Sequence, residues 1–479
     1  MKNLLDEIST QFPGKIAVSE GNYSFSYVEF SQKVLEIANF IKNRKLDKNS
    51  RIGLLPMSSC GSLLSYYACE LAGHTGVPVP FKDEERINGA VQQANISFFL
   101  EDPVGGSLGG SYASVEYTGG NKDNLSDSEA LVLFTSGTTS SKLKGVKLST
   151  TGISSACLYM NELMEVEHTT IELVFAPLDH AFGFGRCHSV LAVGGSIVLS
   201  KNLKSLSSIF ELVADYNCNA MSAPPSILSS ILRLPSEDLH SLTTQVRQIQ
   251  TGAMRFDPTF RKRLLDIFHN TRIFLHYGLS EAMRVTLFEL NAAPEKIHTE
   301  GLPSKGMDLQ IFDKNRRKLT KNCEGLIGFK GKNLCLGYLD DKFWQSQLYQ
   351  GYFITSDRGQ IDDDGYLIFL GRADDTINAN GILVDPDEIE GKILKVLPQI
   401  SFSVIGIKDP ASIRDSIIVL CKEGTTELKI QDLRQLLKGI DAHLIPTVIL
   451  EIDRLPRTRT GKVNRSELKK LAAEKLLVN

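Results

Sequence analysis

A run of small hydroxyl residues around one glycine is the first segment whose composition suits phosphate binding. It follows a short apolar stretch and consists of Thr135, Ser136, Gly137, Thr138 and Thr139. Backbone N–H groups and hydroxyls in such a turn donate to phosphate oxygens, and a nearby lysine, here Lys144, adds positive charge. A Walker A loop, with glycines before a Lys-Ser/Thr pair, cannot be placed on this run. The residues predict a phosphate-binding loop of another kind, with a polar surface turn as the alternative.

Later segments carry side chains that suit a nucleotide and its metal ion. His276 to Glu281 place a carboxylate after an aromatic-glycine turn. Glu281 could hold Mg²⁺, which binds through one or two carboxylates together with substrate phosphates. Asp357 could accept hydrogen bonds from the two hydroxyls of a ribose, and a charged cluster spans 371–375. A loop near the C-terminus ends with Lys462 beside a glycine.

Composition and charge limit the class of protein. The 479 residues are 42% hydrophobic and 23% charged, which suits two or three globular domains. The formal net charge of −3 argues against nucleic acid as a partner. The eight cysteines lack CxxC spacing, which is typical of reduced thiols and predicts a cytoplasmic protein. We expect neither a signal peptide nor a membrane span, because the required apolar windows are missing.

Alternating helix and strand patterns predict an α/β fold. Near the N-terminus the apolar spacing predicts helices over 27–43 and 60–73 and strands over 51–55 and 77–80. The stretch 105–128 is rich in Gly, Ser, Asn and Asp and predicts a loop.

The second half of the chain predicts two further units. A strand-rich pattern over 309–369 indicates a small β-subdomain. Beyond the charged cluster at 372–375 the chain begins again with a helix over 386–397 and further strands. These changes predict an N-terminal domain over 1–373 and a small C-terminal α+β domain over 374–479.

Taken together and in this order, the segments resemble the acyl-adenylate-forming superfamily. That group includes acyl-CoA and aryl-CoA synthetases, the adenylation domains of peptide synthetases, and beetle luciferases. The resemblance covers nearly the whole chain, from the segment near Tyr27 to Lys462 and Arg465. It implies an α/β N-terminal domain with a β-rich subdomain, and a mobile C-terminal domain that carries a catalytic lysine.

The resemblance also implies which residues contact ATP. They are Thr135, Ser136, Gly137, Thr138, Thr139, Lys144, Gly252, Ala253, Met254, Tyr277, Gly278, Ser280, Asp357 and Arg372. Among these, Tyr277 would stack on adenine, Ser280 would contact the α-phosphate, and Asp357 with Arg372 would bind the ribose. Glu281 would bind Mg²⁺. The chain departs from the family at Ser140, where a glycine is usual.

Catalytic roles are implied for Lys462, His180, Ser280 and Glu281. Lys462 matches the lysine that contacts the reacting carboxylate and α-phosphate, and His180 lies in a Pro-Leu-x-His segment at the mouth of the acid pocket. Asp374 matches the hinge about which the C-terminal domain rotates. A histidine at position 180 favours an acid without an α-amino group, while Asp179 keeps the amino-acid alternative open.

The leading hypothesis is an ATP- and Mg²⁺-dependent ligase that joins a fatty or aryl acid to coenzyme A. A close alternative loads the acyl group onto the phosphopantetheine of a carrier protein, and departures from the family at Asn378 and Asn380 are compatible with it. Two other classes share the resemblance, a luciferase-like oxidoreductase and a non-catalytic relative.

Overall fold

The structure is a computed structural model, and it describes most of the chain. The described residues are 2–55, 59–79, 84–101, 104, 109–112, 129–136, 143–200, 206–252, 258–373, 375, 377–379, 382–397, 400–408, 416–424, 428–437, 445–458 and 461–478. Within them, no helix is both long enough and apolar enough to cross a membrane.

The helices lie along the whole chain. They are α1 (Lys2–Gln11), α2 (Tyr27–Lys42), α3 (Cys60–Ala72), α4 (Glu84–Ala94), α5 (Thr150–Met164), α6 (Ala181–Leu191), α7 (Ser207–Asp215), α8 (Pro225–Ile231), α9 (Ser236–Gln245), α10 (Pro258–Ile267), α11 (Asp341–Gln347), α12 (Pro386–Val396), α13 (Ile430–Leu436) and α14 (Arg465–Val478).

The strands of the first half alternate with these helices. They are β1 (Ile16–Glu20), β2 (Tyr23–Ser26), β3 (Arg51–Leu54), β4 (Thr75–Pro78), β5 (Ile96–Glu101), β6 (Gly109–Tyr112), β7 (Glu129–Ser136), β8 (Leu143–Ser149), β9 (Ile171–Val174), β10 (Ser196–Leu199), β11 (Ala220–Ser222), β12 (Gln248–Gly252), β13 (Arg272–Leu279) and β14 (Ala282–Glu289). Those of the second half are β15 (Met307–Phe312), β16 (Gly325–Gly331), β17 (Gly337–Tyr338), β18 (Leu348–Tyr349), β19 (Tyr352–Ile361), β20 (Leu367–Arg372), β21 (Ile377–Ala379), β22 (Ile382–Val384), β23 (Phe402–Lys408), β24 (Ser416–Glu423) and β25 (Val448–Ile452).

The helix α2 shows how the sequence sets these boundaries. Ser26 caps its N-terminus in a capping box with Glu29, which satisfies backbone N–H groups that the first turn leaves open. Phe30, Val34 and Ile41 recur at helical spacing and are buried. The helices predicted over 27–43 and 60–73 are therefore confirmed as α2 and α3.

Two mixed sheets form the body of the N-terminal part. The order of the eight-stranded sheet is β14-β13-β12-β11-β9-β10-β1-β2, and that of the seven-stranded sheet is β17-β8-β7-β4-β3-β5-β6. Their central strands are parallel, whereas β13 pairs with β14 and β7 pairs with β8 in antiparallel fashion. Helices cover both sheets, as parallel strands require. The α/β fold class predicted from the sequence is thus observed.

One predicted loop is partly wrong. Within 105–128, residues Gly109–Tyr112 form the strand β6, which pairs with β5 at the edge of the seven-stranded sheet. Pairing with a neighbouring strand outweighs the low strand propensity of a glycine-rich segment. The rest of that stretch, apart from this strand, lies outside the described residues.

A smaller antiparallel sheet contains β15, β16 and β18 to β20, which confirms the strand-rich pattern over 309–369. Beyond it, the C-terminal strands pair only with one another, in sheets of two and three strands. They also form cores of their own, one around Val404 and Leu433 and another around Val419 and Leu468. These C-terminal sheets follow the position where the sequence predicts a domain boundary.

A buried ion pair clamps the seven-stranded sheet. Arg51 on β3 donates to both oxygens of Glu129 on β7, at 2.7 and 3.1 Å, and reaches across the intervening strand β4. Both side chains are almost fully buried. Glu129 is the first residue of β7, and the predicted phosphate loop leaves the opposite end of this strand, so the pair fixes the strand in the sheet rather than the loop itself.

We expect Glu129→Gln to lower the free energy of unfolding by about 3 kcal/mol or more, because it leaves a buried guanidinium unneutralised. The matched control is Glu162→Gln, which breaks an exposed pair with Lys305 and should change stability by less than about 0.5 kcal/mol. Urea unfolding of both variants measures the difference. Equal effects of the two substitutions would contradict the clamp.

Candidate active site

Two predicted nucleotide-binding residues, Tyr277 and Arg372, contact the carboxylate of a third, Asp357. Tyr277 lies near the end of β13, and its hydroxyl donates to Asp357 Oδ2 at 2.8 Å. Asp357 on β19 is the cross-strand neighbour of Arg372 on β20, whose Nη1 is 3.7 Å from Asp357 Oδ1. Burial, followed by the charge of Asp357, raises the pKa of Tyr277 well above its usual range. The sequence therefore brings an aromatic ring, a carboxylate and a guanidinium together across two sheets.

The C-terminal loop that carries Lys462 reaches this cluster. Gly461 has a φ of +83°, and a β carbon there would lie 2.9 Å from Ser226 Oγ at the start of α8. The Lys462 side chain remains accessible to solvent. Surrounding protein nevertheless lowers the pKa of Lys462, an effect that Asp357 opposes and Arg372 reinforces. The ammonium thus lies within electrostatic reach of the Asp357–Arg372 pair.

Arg465 fixes the approach of this loop. Its guanidinium pairs with Asp375 at 3.5 Å, with Glu390 at 2.8 Å, and with Asp387. Arg465 begins α14 shortly after Lys462, while the first of its partners lies beside the predicted hinge. Three carboxylates around one cation hold these segments in a defined arrangement.

His180 is the second predicted catalytic residue in this region, close enough to Lys462 for the two charges to interact. It caps the N-terminus of α6, where Nδ1 accepts from the backbone N–H of Phe182 at 3.3 Å. Burial, together with the cations Lys462 and Arg284, lowers the pKa of His180 to about 4. His180 is therefore neutral near pH 7 and can exchange hydrogen bonds with a carboxylate without carrying charge.

Glu281 is held by a tyrosine that the sequence did not single out. Tyr338 donates its hydroxyl to Glu281 Oε1 at 2.5 Å. The ring of Tyr338 stacks on Phe343, and the ammonium of Lys144 lies 4.4 Å from the Phe343 ring centroid. Two aromatic rings therefore bridge the predicted metal carboxylate and the predicted phosphate lysine.

A single carboxylate with a positioned lysine suits Mg²⁺ that is bound mainly through phosphates. Within the described part of the chain, no group of three or more His, Cys, Asp or Glu side chains could hold a metal by itself. Among the described residues, the Glu281 side chain accepts its hydrogen bond from Tyr338 through Oε1. The residues at this position therefore fit a magnesium ion that arrives with a nucleotide.

The remaining predicted residues are placed as follows. Thr135 lies at the end of β7, Gly252 at the end of β12, and the buried Ser280 in the turn between β13 and β14. Gly252 has a φ of +152°, and a β carbon would lie 2.5 Å from His276 Nδ1, so the close approach of the two strands requires glycine. Gly278 lies on β13, two residues after His276, the strand partner of Gly252.

Several predictions fall outside the described residues, or fall on residues whose side chains are not described. They concern Gly137, Thr138, Thr139, Ala253, Met254 and Asp374, together with the side chain of Ser136. The backbone of Ser136 pairs with Leu143 at the tip of the β7–β8 hairpin. The base of the predicted phosphate loop is therefore defined by this strand pair.

A family model described as AMP-binding enzyme matches residues 5–339, most of the chain. The chain therefore belongs to the AMP-binding enzyme family, and the resemblance inferred from the motifs is confirmed.

Gramicidin S synthase 2 of Aneurinibacillus migulanus is 24% identical over 504 residues, which cover 98% of this chain but only 11% of the synthase. The chain thus spans a small fraction of the length of that relative. Feruloyl-CoA synthase of an Amycolatopsis species is 24% identical over 482 residues, 96% of each chain.

The solved structure of o-succinylbenzoate CoA synthetase from Bacillus subtilis, in complex with the acyl-adenylate intermediate OSB-AMP, has a TM-score of 0.82. The identity is 20%, and 98% of each chain is covered. This likeness confirms the predicted fold class.

The buried His188 on α6 makes stability depend on pH. Burial lowers the pKa of His188 to about 4, whereas an unfolded histidine titrates near 6.5. Below pH 6.5 the unfolded chain binds a proton that the folded chain does not. The contribution of neutral His188 to the free energy of unfolding is therefore complete above pH 6.5. This contribution falls by up to about 3 kcal/mol as the pH drops toward 4.

We expect His188→Gln to flatten the decline in the free energy of unfolding between pH 7 and pH 5, measured by urea unfolding. Glutamine can keep the hydrogen bond that Tyr67 shares with His188 Nδ1 at 2.9 Å. The matched control, His240→Gln, changes an exposed histidine and should keep the slope of the unmodified chain. An unchanged slope for His188→Gln would contradict this interpretation.

Proposed function

We propose that this chain joins a carboxylic acid to ATP as an acyl-adenylate, releases pyrophosphate, and then transfers the acyl group to the thiol of coenzyme A. The observation that carries the proposal is the meeting of Tyr277, Asp357 and Arg372 with Lys462 in one cleft. Such a cleft supplies a base-stacking ring, a ribose acceptor and two cations for phosphate oxygens.

In the first step a carboxylate oxygen attacks the α-phosphorus, and the bond from that phosphorus to the pyrophosphate oxygen breaks. The protein supplies positioning and charge stabilisation for this exchange. Lys462 neutralises the charge that develops on the α-phosphate and orients the carboxylate. Neutral His180 lies near Lys462 and holds the acid, while Ser280 donates to the α-phosphate.

Glu281 would hold Mg²⁺, with Tyr338 fixing the carboxylate through Oε1. The ion supplies charge neutralisation for the phosphates of ATP when it is bound. Thr135 to Thr139 and Lys144 would cover the β- and γ-phosphates, and the turn Gly252, Ala253 and Met254 would contact adenine. These assignments follow from the family's pattern.

In the second step the coenzyme A thiol attacks the acyl carbonyl, the bond to the AMP oxygen breaks, and AMP leaves. No protein nucleophile is needed. The cysteines agree with this, because all but Cys323 are buried. Burial raises the pKa of Cys157 to about 12, which keeps that thiol protonated and unreactive.

The choice of coenzyme A is supported by similarity over the whole length of a feruloyl-CoA synthase. Similarity to a peptide synthetase, which is many times longer than this chain, supports the phosphopantetheine of a carrier protein as the second candidate acceptor. We further propose that residues 374–479 rotate about Asp374 between the two steps, relative to residues 1–373.

The proposal is tested by ATP–pyrophosphate exchange across a panel of fatty, aryl and dicarboxylic acids, with amino acids included. We expect exchange with at least one acid that lacks an α-amino group, and thioester formation with coenzyme A. Exchange only with amino acids, or with no acid, would overturn the proposal. Thioester formation on a carrier protein but not on coenzyme A would transfer the conclusion to the second acceptor.

We expect Lys462→Ala to reduce acyl-adenylate formation by ~10²–10³-fold or more, because it removes one preorganised charge. The variant should still convert a supplied acyl-adenylate and coenzyme A to the thioester. Rapid-quench assays of the separate steps measure both rates. Lys470→Ala, an exposed lysine on α14, serves as control and should keep both. Equal loss of the two steps in Lys462→Ala would refute a role confined to adenylation.

A further inference from the structure

Arg284 on β14 is a buried cation without a carboxylate partner among the described residues. Its side chain is only 1% exposed. Nη1 donates to the carbonyl oxygen of Ala181 at 3.2 Å, while Nη2 donates to Phe182 O at 3.2 Å and Gln250 Oε1 at 3.3 Å. Nε has no partner. All three acceptors are neutral, so the charge of the guanidinium is not balanced.

The other deeply buried arginines among the described residues each pair with a glutamate. Arg51 pairs with Glu129, Arg186 with Glu172, and Arg261 with Glu300. Leaving a buried charge unpaired costs several kcal/mol in a protein interior. Arg284 is therefore an exception that packing alone does not account for.

The neighbours of Arg284 compensate its charge only in part. The nearby carboxylate Glu172 is engaged by Arg186 and by Ser222. Burial lowers the pKa of His276 well below its usual range, so this ring is neutral. Burial, followed by the charge of Arg186, lowers the pKa of Arg284 to about 9, which still leaves the guanidinium charged at neutral pH. The cluster thus carries one excess positive charge.

Unsatisfied polar atoms lie in the same region. His276 Nδ1 and Thr251 Oγ1 are buried and have no hydrogen-bond partner. His276 lies next to Gly252 across the β12–β13 pair, and its ring centroid is 4.6 Å from that of Phe182, which also faces Arg284. Two N–H donors of the guanidinium also remain after its three contacts, since arginine has five.

The position of Arg284 relates this charge to the acid substrate. Its acceptors Ala181 and Phe182 form the first turn of α6, directly after the cap His180. The charges of both Lys462 and Arg284 lower the pKa of His180, so both cations lie near this histidine. Lys462 marks the side of the cleft where the reacting carboxylate meets the nucleotide. Arg284 lies against the first turn of α6, next to His180.

We infer that Arg284 binds a second carboxylate at the far end of the acid, so that the preferred substrates are dicarboxylic acids. The inference rests on the proposed function and narrows its substrate class. A carboxylate would neutralise the excess charge and accept from the open N–H donors of the guanidinium, and the unsatisfied atoms of His276 and Thr251 are nearby polar groups that it could also engage. A charged hydrogen-bonded pair of this kind is stronger than a neutral one.

The test compares matched acids in ATP–pyrophosphate exchange with the whole chain. Each α,ω-dicarboxylic acid or carboxyaryl acid is measured against its monoamide and against the monocarboxylic acid of equal length. We expect kcat/KM to favour the diacid by ~10²-fold or more, since a buried polar site left unpaired rejects the neutral analogue.

Arg284→Gln should lower kcat/KM for diacids by ~10²-fold, mainly through KM, because it removes the charge that binds the second carboxylate. It should change monocarboxylic acids by less than ~3-fold. Arg284→Lys should retain part of the preference because it keeps the charge. Arg272→Gln, a partly exposed arginine paired with Glu289, is the control and should keep the full preference.

Two outcomes would overturn the inference. One is activation of monocarboxylic acids by the unmodified chain as efficiently as diacids, which needs no variant and leaves the proposed function standing. The other is an equal loss of kcat/KM for both acid classes in Arg284→Gln, which would mean that Arg284 supports the structure of α6 and does not bind the substrate. Exchange with no acid at all would instead remove the proposed function, and this inference with it.

Discussion

The Asp357 carboxylate is the junction on which the geometry of the cleft depends. Tyr277 comes to it from the eight-stranded sheet, Arg372 from the smaller antiparallel sheet, and Lys462 from the loop before α14. Each group belongs to a different part of the fold. A single anion attracts two of them by charge and the third by a hydrogen bond, so the sheets and the C-terminal loop share one reference point.

Much of this site could be predicted from sequence because its members lie in short segments with local signatures. Tyr277, Asp357 and Arg372 stand in such segments, and the structure brings them together as neighbours. The spacing within each segment reflects a strand or turn, which local residue types determine. The helices α2 and α3 were predictable for the same reason, since capping and apolar periodicity are local properties.

Other features depended on distant contacts and carried no local signal. Tyr338 follows a glycine on a two-residue strand, and contacts between residues distant in sequence bring it near Glu281, among them the pairing of β17 with β8 and the Ala282–Leu334 bridge. The local sequence around Arg284 predicts an ordinary strand residue. Only the folded structure, in which α6 packs against β14, shows that no carboxylate among the described residues pairs with it. The strand β6 was predicted as a loop because its glycines have low strand propensity. The hydrogen bonds that hold it as a strand come from its partner β5, which is not visible in the local sequence.

The network around Arg465 has a mechanical consequence. The guanidinium joins the start of α14 to Asp375 and to two carboxylates of α12, so these pieces behave as one stiff body. In the rotation about Asp374 proposed above, this network would carry Lys462 along with Asp375 and α12. The angle of that rotation would then determine how far the Lys462 ammonium moves relative to Asp357.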